Sequence, residues 1–300
     1  MRNLFVVVVT ALLTAGAPPV HAAPAESRNS EVAEPKIRSN AALVLDQQSG
    51  EVLYGKNAQA IVPIASITKL MTAMVVLDAN LDPGEKILIT KADIDSLRGS
   101  PSRLRVGTVL TRDDLLRLAL MASENRAASA LARNYPGGAD SFVRAMNLKA
   151  QRIGMNGSHF ADATGLSSRN VSTAEDLAVL VRSAHAYPKI REYSTAISYS
   201  VSVGSKYHLD FFNTNRLVGS DSWDIGLSKT GFINEAGRCL VMQATLAGRA
   251  VIIVLLDSWG RLTRIGDANR IRKWLELASG RGHASASGAV AGAQRSVVLR

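Results

Sequence analysis

Two apolar runs near the end of the chain, residues 240–246 and 250–256, flank Ala247-Gly248 and read as a buried hairpin. A second strand pair stands near the other end, where Ala42-Leu43-Val44-Leu45 and Val52-Leu53-Tyr54 flank a turn at Gln47-Gln48-Ser49-Gly50. Between the two pairs the period becomes helical. Residues 66–79 carry Ile67, Leu70, Met71, Met74, Val75 and Leu77 around nearly the whole circumference, the pattern of a central buried helix. Thr111 with Asp114 makes a capping box for a helix through Leu115, Leu116, Leu118 and Leu120. A polar break at Ser123-Glu124-Asn125 precedes a second helix, stopped by Pro136-Gly137-Gly138. Two more follow, one over about 139–153 and one capped by Ser172 with Glu175 at its third position. Farther on, Ile197, Tyr199, Val201 and Val203 alternate with serines as in a half-buried strand, and Ala268, Ile271, Trp274 and Leu275 suit a closing helix. Strands at both ends around a helical middle predict an α/β (α+β) chain with one sheet assembled from both termini.

The ends read differently. Arg2, the apolar run 4–13 and the small residues at Val20-His21-Ala22 predict a signal peptide over 1–22, with a mature chain from Ala23. No later segment approaches the roughly 20 apolar residues that a membrane helix needs. The sequence therefore predicts an exported protein without a transmembrane anchor: a flexible leader over 23–39, a folded domain over 40–278 and a disordered tail over 279–300. Cys239 is the single cysteine and reads as a buried apolar residue, since it excludes an internal disulfide and a cysteine-based zinc site. With no His-Glu-x-x-His pattern either, neither metal nor cofactor is expected, and His159, His185 and His208 read as structural or surface residues. The formal charge of +10 is spread along the chain rather than clustered with aromatics. That distribution in an exported protein argues against nucleic acid and suits either attraction to an anionic polymer or solubility alone, which the sequence does not separate.

Three short motifs carry chemistry. In Ser66-Ile67-Thr68-Lys69 the serine and lysine are three apart, so a helix puts the amine within reach of the hydroxyl. A serine nucleophile needs such a base, and burial in an apolar helix lowers a lysine pKa toward neutrality. Ser123-Glu124-Asn125 lies at the helix–helix break; the Ser-x-Asn pattern recurs at Ser27 and Ser168, so alone it reads as a helix cap. Lys229-Thr230-Gly231 occurs once and joins a carboxylate receptor to a glycine that admits a substrate backbone close to a strand; alone it reads as an exposed turn. The three in this order form the set shared by class A β-lactamases and penicillin-binding proteins.

On these residues the chain resembles the low-molecular-weight penicillin-binding proteins, which are serine D-alanyl-D-alanine peptidases. The resemblance covers about residues 40–277 and extends through Pro63-Ile64-Ala65, Arg126-Ala127-Ala128, Thr164-Gly165-Leu166, Asn170-Val171-Ser172-Thr173-Ala174 and Phe232. It implies a β-lactamase/transpeptidase-like fold, an antiparallel sheet flanked by helices beside an all-helical subregion, with the site between them. It also implies the roles: Ser66 is acylated, Lys69 is the general base, Ser123 relays protons to the leaving amine and Asn125 orients Lys69 and substrate. Lys229 and Thr230, with Gly231 beside them, hold the substrate carboxylate, and the backbone amides of Ser66 and Phe232 form the oxyanion hole. The substrate class is peptidoglycan peptide, with β-lactams as covalent inhibitors. Glu124 stands where many carboxypeptidase relatives have glycine, which follows the endopeptidase pattern.

Three activities and one non-catalytic reading compete. Carboxypeptidase relatives usually continue into a β-rich domain and an amphipathic anchoring helix, whereas this sequence ends soon after Trp274 without an apolar stripe, which favours a D,D-endopeptidase acting on cross-links. A class A β-lactamase needs a deacylating glutamate; residues 155–173 contain Asp162 and no glutamate, so a slowly released acyl-enzyme is expected. A binding protein without catalysis has no need of the intact Ser66, Lys69, Ser123, Asn125 and Lys229.

Overall fold

The computed structural model describes residues 32–204 and 207–295, with side chains described as far as residue 280. The expected signal peptide and most of the leader lie outside the described residues. In chain order the elements are β1 (Ala41–Asp46), β2 (Val52–Lys56), β3 (Val62–Pro63), α1 (Thr68–Asp78), β4 (Lys86–Leu88), β5 (Val109–Thr111) and α2 (Arg112–Met121). They continue with α3 (Asn125–Arg133), α4 (Gly138–Arg152), β6 (Val171–Ser172), α5 (Ala174–His185), α6 (Pro188–Thr195), β7 (Ser198–Val203) and β8 (Tyr207–Phe212). The last are β9 (Asp224–Ile233), β10 (Gly237–Leu246), β11 (Arg249–Ser258) and α7 (Thr263–Arg295).

The main sheet has five strands in the order β2-β1-β11-β10-β9, all antiparallel, so the first strands lie beside the last. All six residues of β1 are buried, because both faces of the sheet are covered. Ala42, Val44, Ile253 and Leu255 pack with Ala268 and Ile271 of α7 on one face. Leu43, Ile252 and Val254 pack with α1 and α5 residues such as Leu70 and Leu177 on the other. The β10–β11 turn places Ala247 at φ 50° and Gly248 at φ 77°, the double left-handed geometry of a tight hairpin. Beyond the sheet's second face lie α1 to α4, with α1 at their centre: nine consecutive residues, from Thr68 to Val76, are buried.

Several boundaries differ from the sequence reading, most for a local reason. The folded part starts before residue 40: Ile37 and Ser39 are buried, and the amides of Arg38 and Ser39 donate to Asp267 of α7 at 3.0 and 2.8 Å. Helix α5 is capped by Thr173, whose hydroxyl accepts from the Asp176 amide at 3.0 Å. Ser172, the expected cap, is instead extended and paired with Val62 in β6. Helix α7 runs to Arg295, past the expected end near residue 278. Strand β8 pairs with β7 in a separate hairpin that the sequence reading left incomplete, because Tyr207, His208 and Phe212 are exposed and blur the alternation. The Thr111–Asp114 capping box forms as expected, with reciprocal bonds at 3.0 and 3.2 Å.

Candidate active site

Ser66 stands in a single 3-10 turn, Ala65–Ile67, immediately before α1. The turn is held from below and above. Thr68 Oγ1 donates to Ala65 O at 2.8 Å, and Asn170 Nδ2 donates to Thr68 Oγ1 at 3.0 Å. Ala65 itself has φ 47°, a left-handed conformation unfavourable for a residue with a Cβ. Gly165 packs on it so closely that a Cβ there would fall 2.0 Å from Ala65 O. Asp162 shapes this covering loop: Oδ1 accepts from the amides of Thr164 and Gly165 at 2.6 and 2.7 Å, and Oδ2 from Ser167 N at 2.9 Å. Its carboxylate is thus committed to loop backbone.

One turn into α1, Lys69 is fully buried. Its Nζ lies 2.8 Å from Ser66 Oγ, 2.7 Å from Asn125 Oδ1 and 2.6 Å from Thr164 O. Burial lowers its pKa to about 7, partly opposed by the negative charges of Asp162 and Glu124. The contact set fits a neutral amine well. Two N–H bonds go to the Asn125 and Thr164 oxygens, leaving the lone pair for the Ser66 hydroxyl.

Asn125 opens α3, and its Nδ2 donates to Ser100 Oγ at 3.0 Å. The helix cap is Glu124 rather than Ser123: its side chain accepts from Arg126 N at 3.1 Å and from Ser102 Oγ at 2.6 Å. Ser123 is therefore spared the capping role. It sits at φ 59°, half-buried, and its hydroxyl has no hydrogen-bond partner among the described residues. Left-handed backbone at a non-glycine residue costs on the order of 1–3 kcal/mol and is common where a side chain is aimed into a site.

Lys229, Thr230 and Gly231 lie inside β9, the sheet's edge strand, rather than in a turn. Gly231 passes so near the Ser66 turn that a Cβ on it would sit 3.1 Å from Ser66 N and 2.9 Å from Ile64 O. This contact brings the sheet edge against the helical side and puts the amide of Ser66 one residue away from Phe232, whose ring is exposed under the Arg238 guanidinium at 4.5 Å. Lys229 is buried, and burial, with the charges of Lys69 and Arg264, drives its pKa well below the ordinary lysine value. Thr230 Oγ1 donates to Thr214 Oγ1 at 2.6 Å. All three motifs therefore meet in one cleft between β9 and the helices.

Several groups at this cleft escaped the sequence reading. Arg264, at the start of α7, has Nε and one Nη buried without a hydrogen-bond partner among the described residues, and its charge reaches Lys229. An unpaired buried guanidinium beside a second cation is costly without an anion to share. Thr164 stands in the Thr164-Gly165-Leu166 stretch of the resemblance, but its contact to Lys69 is made by the carbonyl, which leaves no side-chain signature, and Thr214 lies on a loop without pattern. Cys239 is buried, with burial raising its thiol pKa to about 11, so it is an inert core residue. Among the described residues no cluster of His, Cys, Asp or Glu could hold a metal ion, and no helix is long and apolar enough to cross a membrane.

A half-buried serine against a near-neutral buried lysine, beside a strand edge that carries a second buried lysine, is an arrangement suited to serine acyl transfer. The profile of the D-alanyl-D-alanine carboxypeptidases matches residues 28–259. The chain is 46% identical over 277 residues to a D-alanyl-D-alanine endopeptidase of Pseudomonas aeruginosa, covering 92% of this chain and 89% of that one. It is 45% identical over 244 residues to the D-alanyl-D-alanine endopeptidase of Escherichia coli, covering 81% and 79%. Among solved structures, a Streptomyces DD-transpeptidase superposes with a TM-score of 0.76 at 32% identity, covering 81% of this chain and 98% of that one. The chain belongs to the D-alanyl-D-alanine carboxypeptidase family of serine peptidases. Its α+β fold is the transpeptidase-like fold of penicillin-binding enzymes.

Proposed function

We propose that this chain is a D,D-endopeptidase that cuts D-alanyl cross-links in peptidoglycan through an acyl-enzyme on Ser66, and that β-lactams block it at the same atom. The observation that carries the mechanism is the fully buried Lys69, its pKa near 7, with Nζ 2.8 Å from Ser66 Oγ. The neutral amine takes the Ser66 proton as Oγ attacks the D-alanyl carbonyl carbon. The oxyanion forms between the amides of Ser66 and Phe232. Charge stabilisation of this kind is typically worth about 3–4 kcal/mol per donor. The C–N bond then breaks, with the proton passing from Lys69 through the free Ser123 hydroxyl to the leaving amine. Water hydrolyses the ester with Lys69 again as base. Asn125 holds Lys69 through Oδ1, and Lys229, Thr230 and Arg264 receive the carboxylate next to the leaving amine.

Cross-link cleavage is favoured over removal of a terminal D-alanine because the two relatives at 45–46% identity are named endopeptidases. The carboxypeptidase reading is kept by the family description itself. With Asp162 spent on loop amides, no carboxylate of that loop is free to speed deacylation, which supports a long-lived penicillin adduct. On this reading the enzyme works outside the cytoplasm, in the periplasm, with residues 1–22 as a signal peptide ahead of the peptidase domain. A cross-linked muropeptide dimer and an uncross-linked pentapeptide, followed by mass, test the choice. The endopeptidase reading requires dimer to become monomers in a penicillin-sensitive way; loss of a terminal alanine from the pentapeptide alone overturns it.

A further inference from the structure

Next to the Ser123–Asn125 turn lies a second cavity, of about 610 Å³, between residues 102–108 and the β7–β8 hairpin. Its walls include Ser102, Arg103, Arg105, Tyr207, His208 and Leu209, and among the described residues no acidic side chain lines it. The two arginines differ in state. Arg103 is fixed, donating to Asp210 O and lying 5.2 Å over the Phe211 ring. Arg105 is exposed, and its guanidinium has neither hydrogen bond nor ion pair among the described residues. The wall is itself tied to the catalytic turn: Ser102 Oγ donates to Glu124 Oε1 at 2.6 Å, and Arg126 donates to Leu104 O at 2.7 Å. Two guanidiniums, an imidazole and a phenol around one space without a counter-charge make a receptor for carboxylate.

We infer that this cavity is a carboxylate-binding subsite for the acidic stem of the peptide substrate, with Arg105 as its free ligand and Arg103 as its fixed one. The choice of a peptide carboxylate rests on the reading under Proposed function, since peptidoglycan stems carry free carboxylates away from the D-alanyl bond. Glu124 gains a second purpose in this arrangement. It holds one wall of the subsite at a set distance from Asn125, so stem binding and alignment of the scissile bond are coupled through Ser102.

The test compares the wild-type chain with Arg105→Gln on two cross-linked dimers, one with free stem carboxylates and one with those carboxylates amidated. The wild type is expected to cleave the free dimer with kcat/KM about tenfold above the amidated one, and Arg105→Gln to lose that preference. Acylation by benzylpenicillin, which has no stem, is expected to be equal in both proteins and certifies the fold of the variant. In parallel, calorimetry with an uncross-linked stem tripeptide, free or amidated, measures the subsite whichever bond the enzyme cuts. Selective binding of the free tripeptide by wild type and its loss in Arg105→Gln support the subsite even if the dimer is never cleaved, an outcome that would overturn the endopeptidase reading alone. Equal handling of free and amidated forms by both proteins overturns the subsite.

Discussion

Asn125 Oδ1 accepts a hydrogen bond from Lys69 Nζ at 2.7 Å, joining the start of α3 to the buried face of α1. The same Asn125 side chain reaches Ser100 Oγ with its Nδ2 at 3.0 Å, and turning the amide over would replace the acceptor beside Lys69 Nζ with a donor. Lys69 thereby has one direction in which its lone pair can point, toward Ser66. Asn125→Ala is expected to slow penicillin acylation by on the order of 100-fold, a typical share of general-base catalysis. Stopped-flow acylation rates check this, and circular dichroism distinguishes lost chemistry from lost fold.

The pH dependence follows from Lys69. Its pKa of about 7 means the neutral amine is scarce below that pH and predominates above it. The acylation rate of Ser66 is expected to climb with pH, by about tenfold per unit on the acid side, and to level off above about 7. Lys69→Arg, which stays charged at every accessible pH, removes the rising limb along with most of the rate. The profile is read from acylation rates between about pH 5 and 9, two units either side of the lysine's value.

Gly165→Ala tests the cover over Ser66. The residue has φ 80°, and the added methyl would lie 2.0 Å from Ala65 O and 2.8 Å from Ser66 N. The left-handed backbone alone costs about 1–2 kcal/mol, and relief of the overlap must move the Ser66 turn. Lower stability in urea together with a loss of acylation is expected, whereas Gly248→Ala, which meets nothing within 4 Å, lowers stability only.

Arg264→Leu separates binding from folding. Two of its nitrogens are buried without partners among the described residues, so the substitution breaks no hydrogen bond of these atoms while leucine keeps much of the packed stem. The substitution is expected to raise KM for carboxylate-bearing peptides by about tenfold or more, while Tm holds or rises because unpaired buried donors are removed.

The parts of this account that were legible in the sequence share a physical trait: they depend on patterns a few residues long. A lysine inside an otherwise apolar helix announced Lys69, and strand patterns at both ends announced the sheet that joins β1 to β11. Ser123 was harder, since its motif imitates a cap; only coordinates give that task to Glu124. Groups that act through backbone or across long separations left no trace. The Thr164 carbonyl is invisible to any pattern of side chains, and Arg264 reads as one more surface charge on α7. The shift of the α5 cap from Ser172 to Thr173 arises from pairing with Val62, a contact across the chain that no local motif records.

The central claim is that Ser66 carries the acyl group of a D-alanyl peptide. The direct measurement is intact and peptide-level mass of the mature chain mixed with a cross-linked muropeptide dimer and quenched within the first turnovers. The account predicts a donor-peptide adduct on the fragment containing Ser66, absent from Ser66→Ala and preceded by penicillin when the protein is pre-treated. Cleavage of the dimer with no adduct on that fragment, or with Ser66→Ala still active, would contradict it.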